Sequence, residues 1–158
     1  MMDLLKDVLE TPDGPFSVEG RVFCRPFGRY VAFAVEDAAS MDYVVRCAEH
    51  LDTLPEATLV ELCRASIRYC NEFRLLAGEA PLAFASPLDV LALLDPNTLL
   101  IPNEERPEPV VHLELCCDWE LEHGLEWIVR DGKVLYVGGF NGGNPWGGYD
   151  EKASWNFA

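Results

Sequence analysis

The pair Asp131-Gly132 lies between two alternating apolar runs, Leu125–Arg130 and Lys133–Val137. A type I′ turn needs positive φ at both central positions, and Asp-Gly is one of the few pairs that adopt it with little strain. The pair therefore predicts a two-residue hairpin and fixes its register. Arg130 falls opposite Lys133, Val129 opposite Val134, Ile128 opposite Leu135 and Trp127 opposite Tyr136. Each apolar residue meets an apolar partner, so the pattern is self-consistent.

Upstream, Val111, Leu113, Leu115 and Cys117 alternate with His112, Glu114 and Cys116, which reads as a strand. Residues 16–24 and 29–36 also alternate. Arg25-Pro26-Phe27-Gly28 between them carries turn chemistry and predicts a second hairpin. A short strand is expected over 98–101, and residues 102–109, with three prolines and three glutamates, read as a solvated connector.

Helices are predicted elsewhere. Residues 3–10 have amphipathic spacing, ended by Pro12-Asp13-Gly14-Pro15. Ser40 reads as the N-cap of a helix over 41–52. Thr53-Leu54-Pro55-Glu56 reads as a capping box opening a helix over 55–77, stopped by Gly78. Its apolar stripe is Leu59, Cys63, Ile67, Cys70, Phe73 and Ala77. Ser86-Pro87-Leu88-Asp89 opens a third, short helix to Leu94. The expectation is a single α+β domain over 1–158: an antiparallel sheet with two or three helices on one face, and a Gly/aromatic-rich C-terminal arm at 138–158. The expected core is Phe33, Val35, Leu59, Cys63, Ile67, Cys70, Phe73, Leu113, Leu115, Ile128 and Leu135.

Charge narrows the functional classes. The chain carries 27 acidic and 12 basic residues among 158, a formal net charge of −15. That disfavours nucleic acid and anionic membrane, both of which need a basic face. It favours a basic protein partner, drawn in by the field. No leader or membrane span is read, and six cysteines in so apolar a chain are expected as reduced thiols, so the expected compartment is the cytoplasm.

Two constellations are candidates for function. Trp119, Glu120, Glu122, Glu126 and Trp146 combine carboxylates with aromatic anchors and are the expected partner contacts. His112, Cys116, Asp118 and His123 offer metal-competent side chains but lack a metal-binding spacing, so they are only the alternative. A thiol pair of Cys116 or Cys117 with His123 is disfavoured by its acidic neighbours. No nucleophile motif or phosphate loop is present, and no enzymatic activity or cofactor is expected.

The run Val111–Trp127, with its Cys-Asp-Trp and Glu-His-Gly segments, and Val137–Gly142 after it, resembles a group of uncharacterised bacterial domains. The helix segment Arg64–Cys70 also fits that resemblance. It implies a small acidic protein encoded near polymorphic toxins, with an immunity or inhibitor-like role for some members. It assigns no catalytic residue. Within the run, Gly124 is expected to allow a tight re-entry, His123 to lock the loop and Trp119 to pack beneath it.

Overall fold

The computed structural model describes residues 3–11, 13–36 and 38–158. Seven strands form one mixed sheet in sequence order: β1 Leu5–Glu10, β2 Val18–Cys24, β3 Arg29–Val35, β4 Leu94–Ile101, β5 Val110–Cys117, β6 Leu125–Arg130 and β7 Lys133–Gly138. Two helices, α1 Met41–Asp52 and α2 Glu56–Leu76, lie between β3 and β4. The fold is α+β, but the sheet is not purely antiparallel. β3 and β4 run parallel, because the chain between them is long enough to make a crossover.

Local chemistry explains most elements. The β6–β7 turn has φ +50° at Asp131 and +80° at Gly132. The pairs Arg130–Lys133 and Val129–Val134 form as expected. Beyond them a bulge displaces the register, so that Ile128 faces Tyr136 and Trp127 faces Val137. The extra residue turns Leu135 and Tyr136 into one buried cluster with Ile128. Ser40 caps α1, its hydroxyl accepting the Tyr43 N–H at 3.2 Å.

Several expectations are corrected. Residues 5–10 form an edge strand rather than a helix. A register shift between Lys6 and Leu9 breaks the period of two, and that is why the spacing imitates a helix. Of the Pro12–Pro15 stop, Pro12 lies outside the described residues. Thr53 does not open α2. It closes α1, its Oγ1 donating to the Glu49 carbonyl at 2.7 Å, and Pro55 takes the N-cap of α2. Pro87–Leu93 is a 3-10 segment, and β4 starts at Leu94, four residues earlier than 98–101 suggests. Pro96 is tolerated there because the ladder shifts between Pro96 and Thr98.

The buried face of α2 is Thr58, Leu62, Cys63, Ala65, Ser66, Tyr69 and Cys70. It is rotated from the apolar stripe, leaving Leu59 and Ile67 half-buried and Phe73 and Ala77 exposed. Small residues explain the rotation. Ala65 and Ser66 leave room for Trp127, whose indole N–H donates to Ser66 Oγ at 3.0 Å. One core cluster joins α1 and α2 to alternate strand residues, among them Phe33, Val35, Leu99, Leu113, Leu115, Trp127 and Val137. Among the described residues, no helix is long and apolar enough to cross a membrane.

Candidate functional site

The segment between β5 and β6 is organised by one carboxylate. Glu120 accepts the backbone N–H groups of Glu122 and His123, each at 2.8 Å, and lies 2.8 Å from His123 Nδ1. Burial alone would raise the Glu120 carboxyl. The two N–H donors and His123 outweigh it and hold the group below its ordinary value. Gly124 returns the chain to β6 with φ +64°, and a Cβ there would lie 2.4 Å from the Leu115 carbonyl oxygen. Only glycine fits this re-entry. Tyr69 of α2 donates its hydroxyl to the Gly124 carbonyl at 3.1 Å and meets the Trp119 ring edge-on at 5.5 Å. Trp119 Nε1 is buried without a hydrogen-bond partner among the described residues.

This loop forms one wall of a groove of about 840 Å³. The C-terminal half of α2 supplies Phe73 and Leu76, and the tail supplies Trp155 and Phe157. Four large apolar side chains here face solvent: Leu121 is 88% exposed, Leu76 81%, Trp155 60% and Phe73 37%. Glu72, Glu120 and Glu122 are the acidic lining residues, His123 lies beside them, and no Lys or Arg joins them among the described residues. Scattered exposed leucines are ordinary, but a contiguous set around a concavity marks an interaction surface.

Trp119, Glu120 and Glu122 thus lie together, whereas Trp146 and Glu126 lie elsewhere. Glu126 offers no surface to a partner. It is 0% exposed and sits 2.6 Å from His112 Nε2, beneath the segment 139–144. Its oxygens also accept the N–H groups of Asn141 and Gly143, both at 3.3 Å. Trp146 is half-buried, its indole N–H donating to the Asn103 carbonyl at 2.7 Å.

The expected metal set does not assemble. His112 is taken up by Glu126, Cys116 is exposed beside Arg29 and Asp95, and Asp118 borders a cavity with Arg74. Among the described residues the donor atoms that converge are those of Glu120, Glu122 and His123, within 4.8 Å of one another. Both Glu120 oxygens in that trio already serve the loop. The six cysteines are unpaired thiols. Burial pushes Cys24 and Cys63 up to about 12 and Cys117 up to about 11, which leaves these three without nucleophilic character at neutral pH.

The groove residues outside the expected partner contacts are Leu76, Leu121 and Trp155, and of these the sequence marks only Trp155, with Phe157, as an exposed aromatic able to dock on a neighbour. Leu121 was adjacent to the chosen glutamates, while Leu76 and Trp155 join the groove only through the tertiary fold. No curated protein and no solved structure matches the chain. A family model does match, over residues 9–145, and on that match the chain belongs to DUF6985, a domain of unknown function.

Proposed function

We propose that this chain is a non-enzymatic protein-binding module, immunity- or inhibitor-like, that blocks a basic partner by covering its surface. The observation that supports this reading is the groove, where exposed Leu121, Leu76 and Trp155 sit among Glu72, Glu120 and Glu122, with His123 beside them and no Lys or Arg among the described lining residues. Carboxylates at the rim steer a cationic protein and suppress wrong partners, while the apolar centre supplies the anchoring energy. The reading places the protein in the cytoplasm, where its six thiols stay reduced.

The test is native mass spectrometry on tagged protein purified from its own cells at low salt. The expected result is a stoichiometric complex with a basic protein that is lost in Leu121→Asp. Glu72→Lys with Glu122→Lys should slow association and flatten its salt dependence. A complex indifferent to all three substitutions would place the interface elsewhere. A chain isolated with a stoichiometric metal instead of a protein would overturn the reading.

A further inference from the structure

A second concavity lies above the His112–Glu126 pair, apart from the groove. His112 is 5% exposed and forms part of its lining. His112 Nε2 faces Glu126 across their 2.6 Å contact, which leaves Nδ1 as the second polar atom of the ring. No hydrogen bond to Nδ1 occurs among the described residues. The cavity holds about 360 Å³, and Glu36, Asn103, Glu105, Gly143 and Trp146 complete the part of its wall that concerns binding. No Lys or Arg lines it.

The chemistry of these walls is selective. An anion would face two carboxylates, Glu36 and Glu105, with no Lys or Arg among the described lining residues. A neutral apolar group would gain nothing from Glu36 and Glu105, which are exposed and would keep water as their partner. A planar or tetrahedral nitrogen cation satisfies the carboxylates and lies against the indole. The indole is rigidly held by its bond to Asn103, and the chain's own Arg106 already places its guanidinium 5.1 Å from that ring's centroid. A buried ionisable pair beneath a segment containing four glycines, Gly138, Gly139, Gly142 and Gly143, is also an unusual choice for a purely structural sheet face.

We propose that this cavity is a binding site for an alkylguanidinium or alkylammonium group, held by Glu36 and Glu105, the face of Trp146 and the His112 ring. Two sources carry that chemistry: an Arg or Lys side chain of a partner protein, or a free small molecule. The site does not rest on the groove, and each stands if the other fails.

The experiment follows the His112 Hε1 resonance by NMR at fixed pH, assigned by elimination with His50→Gln and His123→Gln. The probes are N-acetyl-arginine N-methylamide, free arginine and the matching blocked citrulline, which keeps the shape and loses the charge. The expected result is a saturable shift with the arginine probes, at least about tenfold weaker with citrulline and about tenfold weaker in Glu36→Gln/Glu105→Gln. Equal or tighter binding of the blocked probe assigns the site to a polypeptide side chain. Tenfold tighter binding of free arginine assigns it to a small molecule, and either result upholds the proposal. No saturable shift, an equal response to citrulline, or full affinity in the double variant overturns it. The citrulline comparison uses the unaltered protein, so it decides the matter even if the double variant is poorly folded.

Discussion

Trp127 and Glu126 are neighbours on β6 and lie on opposite faces of the same sheet. Both are 0% exposed, yet what holds each of them differs. Trp127 belongs to the large apolar cluster shared with α1 and α2, and its one polar atom is satisfied by Ser66. Glu126 is closed over by the C-terminal segment, and its carboxylate gathers His112, Asn141 and Gly143. One face is held by area removed from water, which is tolerant of detail. The other is held by a polar network, which either is complete or fails. The second face is therefore the one on which a single atom matters, and it is also the one with the cavity.

The difference predicts an order of effects. Trp127→Ala should be the most damaging, with about 3–5 kcal/mol lost in urea unfolding, because it opens the centre of the core. Next is Glu126→Ala, at about 3 kcal/mol, because it strands a buried imidazole and two backbone donors. The informative variant is His112→Leu/Glu126→Leu. It should regain much of that loss, since an apolar pair can replace a buried polar one, while amide exchange at Asn141 and Gly143 stays accelerated. If those amides remain protected, the carboxylate is not what orders the segment.

Truncation after Tyr149 comes third. It removes Asn156, which accepts the Val137 N–H at 3.2 Å and donates to the Leu135 carbonyl at 2.8 Å, and Phe157, whose N–H donates to the Val137 carbonyl at 2.8 Å. A loss of about 2 kcal/mol is expected, with a tendency to associate through the uncovered β7 edge. Unchanged stability and a clean monomer would show that the tail is dispensable to the sheet.

The smallest effect should come from Glu120, a carboxylate that also gathers N–H donors but beside an open groove. Its folded-state value lies below the ordinary 4.5, so its contribution is present above that pH and is lost as pH falls through the depressed value. A stability–pH profile should therefore fall on the acid side, less steeply in Glu120→Gln. Identical profiles would remove Glu120 as the organiser of the loop.

Legibility in the sequence followed the range of each interaction. Asp131-Gly132 and Ser40 act within a few residues, and both were readable. The face of α2 was misjudged because packing against Trp127, far along the chain, favoured Ala65 and Ser66 over the greasier Phe73. β1 was misread because its bulge erases the alternation. Trp119, Glu120 and Glu122 share the groove because they are contiguous. Glu126 looked like one more surface acid, and nothing local shows that a strand partner and a distant loop converge on it. An isolated carboxylate in the middle of an otherwise apolar run, Leu125 to Val129, was the available signal.

The sheet's strand order also bears on how the chain finds its fold. Every neighbour in the sheet is also a neighbour in sequence, so six joints close the structure and five are antiparallel. Only the β3–β4 joint must draw together ends separated by both helices. Loop-closure entropy is thus concentrated at Phe33–Leu99 and its neighbours. The β2–β3 hairpin and the β4–β7 meander can each gain order early, and the search that sets the folding rate reduces to docking two preformed ribbons along one seam.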